Sequence, residues 1–203
     1  MTERYRLSFT TGGLLLKEAP VVARCYLTLR SWPRTRDRVR GDNLLQARTA
    51  AAATRVGGEV ISRLQHLDEP ELQALIEASL RDQAGLMWAA ACRRYAFLRE
   101  FATEVLREHH LLMRRKLTVG DYDNFYNRKA LWHPELDEIA PSTQRKLRQN
   151  LFRMLREADL ISAQNMIQPP LFSPHLALLL ASRGPQEFLV FPATDSEIQR
   201  WLP

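Results

Sequence analysis

The chain has 203 residues, 45% of them hydrophobic and 26% charged, with two cysteines and a formal net charge of +6. These proportions exclude a disordered, collagen-like or disulfide-scaffolded chain, and allow one domain or two small ones burying roughly 70% of the unfolded surface. No apolar run approaches the ~18–20 residues that span a bilayer, and the N-terminus lacks a signal-peptide layout. Cys25 and Cys92 are too few and too far apart for a zinc cluster, so the sequence predicts a cytoplasmic protein with reduced thiols and no membrane contact.

Helical periodicity dominates from the start of the chain. Thr10 or Thr11 can cap a first helix through Leu14, Leu15, Val22 and Tyr26, with Gly12-Gly13 as its approach and Pro20 as a kink or restart. Ser31-Trp-Pro reads as a cap with proline at N1, opening a short basic helix near Pro33–Arg40. After the turn Gly41-Asp42-Asn43, an alanine-rich helix is predicted from Leu44 to about His66, interrupted or loosened at Gly57-Gly58. Asp68-Glu-Pro-Glu starts another helix, and Gln83–His110 is expected to be the central core helix. Gly120-Asp121 opens Tyr122–Leu131, which His133-Pro134 ends. Ser142 or Thr143 is placed to cap an amphipathic helix whose stripe is Leu147, Leu151, Phe152, Leu155 and Ala158. Beyond Ile161, prolines punctuate short apolar runs, of which Phe188–Phe191 is strand-like.

Charge is distributed unevenly. Only four basic residues are lysines, and residues 1–63 hold twelve basic against five acidic residues, while the remainder is nearly balanced. Arginine suits planar contact with phosphate or carboxylate, and a one-sided excess points to a polyanion partner, although a GC-rich genome also enriches arginine. A second, smaller excess, Arg145, Lys146, Arg148, Arg153 and Arg156, occupies 142–161.

The search for catalytic or metal chemistry is negative, so no catalytic residue, metal or other cofactor and no small-molecule substrate is assigned. Gly12-Gly13 and Gly57-Gly58 lack the setting of a phosphate-cradling loop. His109-His110 point about 100° apart on a helix, which disfavours a shared ion. His133 with Glu135, and Asp121, Asp123 and Lys129, are better read as structural.

Two segments read as nucleic-acid-facing. The Pro33–Arg40 helix, its turn and the alanine-rich helix have the layout of a helix-turn-helix, with Gln46, Arg48, Thr49, Thr54 and Arg55 placed for phosphates or base edges and Arg36, Arg38 and Arg40 beside them. The same alanines also suit plain helix packing. The second segment, Thr143–Arg156, followed by a short apolar connector and the strand-like tail, suits a winged helix bearing Arg145, Arg148 and Arg153; a solvated cationic face fits equally.

Several blocks resemble the BrxA family of bacteriophage exclusion (BREX) defence systems. They are Ser8-Phe-Thr-Thr-Gly-Gly-Leu-Leu15, Asn43-Leu-Leu-Gln-x-Arg-Thr49, Leu86-x-Trp88, Cys92-Arg-Arg-Tyr95 and Phe101-Ala-x-Glu-Val105. Asp121-Tyr-Asp-x-Phe125, Trp132-His-Pro-Glu-Leu136, Thr143-x-x-Lys-Leu-Arg148 and Phe152-x-Met-Leu-Arg-Glu-Ala158 continue them in order. The resemblance implies a mainly helical cytoplasmic protein that binds DNA beside the system's methyltransferase, ATPases and other subunits, with some likeness to a helical RNA-binding antitermination fold. It carries no catalytic residues. The chain departs from the family's expected pattern at Ala50–Ala53 and Gly57-Gly58, which leaves Arg48 and Thr49 as the residues carried over.

The expected architecture is all-α or mainly α. It comprises a basic helix-turn-helix-like part over 1–66, a central helical core over 67–117, and a winged-helix-like part with a short β-ribbon over 118–203. The expected function is non-catalytic binding of double-stranded DNA with other BREX subunits. The alternatives are an assembly adaptor whose arginines meet acidic subunit surfaces, and an RNA-binding antitermination-like module.

Overall fold

The computed structural model describes residues 4–202, and it is mainly helical. Helix α1 spans Glu18–Leu29, α2 Trp32–Gly41, α3 Ala50–Leu64, α4 Glu69–Glu77 and α5 Leu80–Arg94. Helix α6, Ala96–Phe101, runs through a π-helical stretch, Ala102–Arg107, into α7, Glu108–Leu111. Then come α8 Val119–Ala130, α9 Pro141–Glu157, α10 Pro174–Ala181 and α11 Asp195–Trp201, with 3₁₀ turns at Pro134–Leu136 and Pro185–Val190.

The centre is α5. Every residue from Asp82 to Cys92 is buried, so the helix has no solvated face, and α3, α4, α9 and α10 pack around it. Tyr95 adopts an extended backbone and breaks the predicted long helix into α5 and α6. Its hydroxyl donates to the Glu59 carboxylate of α3 at 2.7 Å, with Ser8 Oγ 3.1 Å away. Burial, and then the Glu59 charge, raise its pKa, so it remains a donor.

Four early expectations are corrected. Residues 9–17 are irregular, with Gly12 and Leu15 at positive φ, and the first helix starts at Glu18. Pro20 therefore falls in a first turn, where a missing N–H costs nothing, and no kink arises. The predicted Leu44–His66 helix begins only at Ala50. Asn43 and Gln46 are left-handed, and the Asn43 side chain bonds both the N–H and the C=O of Ala47, which holds a turn where a helix would form. Gly57-Gly58 does not interrupt α3. A Cβ on Gly57 would lie 3.1 Å from Val39 Cγ1, so the glycine lets α2 cross closely.

Elsewhere the local chemistry matches the pattern. Ser31 Oγ accepts from the Arg34 N–H, Asp68 and Glu71 form a reciprocal capping box, and the predicted α9 stripe from Leu147 to Ala158 is buried. Helix α9 is opened by Pro141 behind Ala140, not capped by Ser142 or Thr143. The strand-like Phe188–Phe191 lies instead on a 3₁₀ turn and its exit, because Trp88 Nε1 takes the Val190 carbonyl at 2.8 Å. Among the described residues, β-type pairing consists of two isolated antiparallel bridges, Lys116 with Met166 and Ile161 with Ile167. They put 165–167 between 115–117 and 160–162, with the Ile167 N–H donating to the Arg115 carbonyl at 2.7 Å. No helix among the described residues is long and apolar enough to cross a membrane.

Candidate nucleic-acid interface

On α2, Thr35 and Val39 are buried against the core while Arg34, Arg36, Arg38 and Arg40 are exposed, as the helical step requires. Arg38 is ion-paired with Asp42 four residues on. Arg34, Arg36 and Arg40 have no ion-pair partner among the described residues. The connection to α3 runs over 42–49, longer than the 3–4 residues of a tight helix-turn-helix turn. Gln46 and Arg48 therefore lie exposed on this connection and not on the helix. Gln46 is held at φ 49°, a conformation few non-glycine residues adopt.

Thr49 is the N-cap of α3, its hydroxyl accepting from the Ala52 N–H at 3.1 Å. The Thr54 hydroxyl donates to the Ala50 carbonyl at 2.9 Å. Both hydroxyls are thus engaged by the helix itself. Ala50 and Ala51 are exposed and only Ala53 is buried, so most of the alanine run is not a packing face. Arg55, one turn further, is exposed and has no ion-pair partner among the described residues.

On α9, Arg145, Lys146, Gln149, Arg153 and Arg156 are exposed. Arg145 and Lys146 have no acidic partner among the described residues. Arg148 is half-buried, and its Nη1 donates to both carboxylate oxygens of Asp123 of α8, at 2.8 and 3.1 Å. Arg153 Nε donates to Glu157 at 2.7 Å, and Arg156 donates to Asn165 at the 162–166 turn at 2.8 Å. Sequence alone ranked all these arginines together. Internal pairing separates Arg36, Arg40, Arg48, Arg55 and Arg145, which have no ion-pair partner among the described residues, from Arg38, Arg148 and Arg153, which do.

Two sets of cations went unselected in the sequence. Lys146 shares the exposed side of α9 with Arg145, and Arg114-Arg115-Lys116 is an exposed run beside the 165–167 segment. Three consecutive basic residues were the available signal for the second set. Other arginines are structural. Arg93 forks onto Glu71 at 2.8 and 2.9 Å and reaches Glu187 at 2.8 Å, and buried Arg63 binds Glu59 at 2.8 Å.

The polar groups weighed for metal or nuclease chemistry are dispersed. His109 faces Asp121 at 3.5 Å, and His110 faces Glu197 at 3.8 Å, on different helices. Asp123 holds Arg148, and Lys129 holds Glu104 and Glu100. His133 Nδ1 lies 3.0 Å from Glu135.

Comparison with known proteins places the chain. A crystal structure of an uncharacterized protein from Magnetospirillum magneticum superposes with a TM-score of 0.79, covering 94% of this chain and 98% of that one at 20% identity. At that identity the likeness concerns the fold. The BREX protein BrxA of Escherichia coli O9:H4 (strain HS) is 25% identical over 180 residues, covering 88% of this chain and 84% of the relative. The BREX protein BrxA of Paramagnetospirillum magneticum is 24% identical over 159 residues, covering 78% and 80%. The sequence model of the BrxA family matches residues 3–184, and the chain belongs to the BrxA family.

Proposed function

We propose that this chain is a non-catalytic, double-stranded-DNA-binding component of a BREX phage-defence system, acting in the cytoplasm with other BREX subunits. One observation carries the DNA-binding part: exposed Arg34, Arg36 and Arg40 on α2, Arg48 on the 42–49 connection, Arg55 on α3, and Arg145 and Lys146 on α9 have no acidic partner among the described residues. Leaving so many guanidinium groups unpaired suits phosphate contact, which positions a protein on a duplex without reading its sequence.

A helix-turn-helix-like N-terminal part with the lengthened 42–49 connection, and a winged-helix-like part beyond it, are proposed together with the division into 1–66, 67–117 and 118–203. The order α6–α7, extended 115–117, α8, α9 and the paired 160–168 segment is that of a helix pair followed by a wing, with α9 presented to the groove. The wing is then formed by 160–168 and not by the tail. Gln46, Arg48, Thr49, Thr54 and Arg55 remain candidates on the N-terminal side, with Thr49 and Thr54 limited by their bonds within α3.

The test is duplex affinity as a function of salt, against a scrambled duplex and an RNA duplex. Each phosphate neutralised contributes a slope of about −0.9 in log K against log salt. A slope of roughly −4 or steeper, alike for both DNAs, is expected. Preference for the RNA duplex would favour the antitermination-like module. Absence of binding at near-physiological salt, with retention of BREX subunits in a pull-down, would favour the adaptor.

A further inference from the structure

A cleft opens where three separate pieces of chain meet: the Thr10–Gly12 turn, the middle of α3 and the first turns of α9. Arg55 of α3 and Lys146 of α9 line it together with Thr10, Thr11, Ser142 and Thr143. No acidic side chain lines it. Both cations are exposed and lack an acidic partner among the described residues. The nearby Glu157 carboxylate is committed elsewhere, accepting from the Leu14 N–H at 2.5 Å and from Arg153 Nε at 2.7 Å.

We infer that this cleft seats backbone phosphates of the bound duplex, so that the N-terminal cations and α9 form one continuous footprint; the inference rests on the DNA-binding reading above. Two cations flanking four hydroxyls is the donor set that contacts phosphate oxygens, since hydroxyls donate and neither guanidinium nor ammonium accepts. The cleft, about 580 Å³, spans three chain segments, which makes it a trough for a strand and not a pocket for one ion.

The walls are fixed in advance. Buried Arg63 donates from Nη1 to the Gly13 carbonyl at 2.7 Å, and Asn150 of α9 donates to the Phe9 carbonyl at 3.1 Å. These bonds clamp the Thr10–Gly12 turn to α3 on one side and to α9 on the other. A site whose walls are already ordered loses little entropy when a strand enters.

The test uses the full chain and a short labelled duplex titrated at several salt concentrations, with Arg55→Ala, Lys146→Ala, the double variant and Arg36→Ala, each checked for unchanged thermal unfolding. Arg55→Ala and Lys146→Ala should each weaken binding evenly across sequences and flatten the salt slope by about 1. The double variant should lose less than the sum of the two, because neighbouring cations on one strand are coupled. Thr143→Val, which keeps every charge, should weaken binding without flattening the slope. If the wild type binds and Arg36→Ala weakens it while the cleft variants bind as the wild type does, the cleft inference fails and the DNA reading stands. If the wild type does not bind duplex but binds polyglutamate through Arg55 and Lys146, both fail and the cleft belongs to an acidic protein.

Discussion

The wholly buried guanidinium of Arg63 reaches from α3 to the carbonyl oxygen of Gly13, 2.7 Å from Nη1, while its Nε holds Glu59 at 2.8 Å. Tyr95 completes the group by donating to the same carboxylate. One charged pair thereby joins the Gly12-Gly13 turn, α3 and the break between α5 and α6. Removing one member of such a pair strands the other charge away from water. Arg63→Ala is therefore expected to cost about 3–5 kcal/mol in chemical denaturation. Arg55→Ala, eight residues earlier but exposed, should stay within about 0.5 kcal/mol. Equal losses would mean that Arg55 is not the free surface cation described above.

Thr49 separates a capping role from a contact role. Its hydroxyl closes the first turn of α3, so Thr49→Ala should destabilise by about 1 kcal/mol, and Thr49→Ser should restore most of that. Duplex affinity should follow the same order, because the exposed start of α3 frays without its cap. If Thr49→Ala keeps full stability and loses DNA affinity, the hydroxyl is a direct contact and the cap is dispensable.

The elements that were legible in the sequence are those specified by local chemistry. Ser31-Trp-Pro set the start of α2, Asp68 with Glu71 set that of α4, and the spacing from Leu147 to Ala158 marked the buried face of α9. Long-range partners decided the rest. Phe188–Phe191 is a short apolar run that reads as a strand, yet the Val190 carbonyl is taken by Trp88 about a hundred residues away. Leu44–Thr49 could open the α3 helix until the Asn43 side chain is seen bonded to Ala47. The basic regions were visible as composition. Which arginines are free was not, since Arg148 finds Asp123 and Arg93 finds Glu187 only through tertiary packing.

Glu135 should contribute to acid sensitivity, alongside Glu100 and Glu197, whose pKa values are also lowered on folding. Burial raises the Glu135 pKa, but the Tyr5 N–H at 2.6 Å, its own backbone and His133 outweigh burial and hold it below the ordinary carboxylate value. A pKa depressed on folding contributes stability that is present above the unfolded pKa, about 4.3, and is lost as pH falls through the folded value. The wild type should therefore lose stability on acidification below about pH 5. Glu135→Gln, which cannot ionise, should be less stable at neutral pH and show a shallower decline over that window. Parallel stability curves for the two proteins would exclude the carboxylate as a source of the pH dependence.

The residues after 184 lie outside the stretch matched by the family model, yet they complete the core. Phe188, Phe191 and Ile198 are buried, Glu187 pairs with Arg93, and the Val190 carbonyl receives the indole N–H of fully buried Trp88. A chain ending at 184 would expose apolar surface around α5 and leave the Trp88 donor unpaired, at a cost of about 1–3 kcal/mol for that group alone. Such a truncation is expected to abolish cooperative thermal unfolding. Trp88→Phe isolates the single bond: it removes the donor, leaves the Val190 carbonyl unsatisfied and shrinks the side chain. It should destabilise by more than about 1 kcal/mol while leaving the exposed cations, and hence the salt slope of duplex binding, unchanged. A truncated chain that unfolds cooperatively near the wild-type temperature would mean that the tail only covers a core already complete without it.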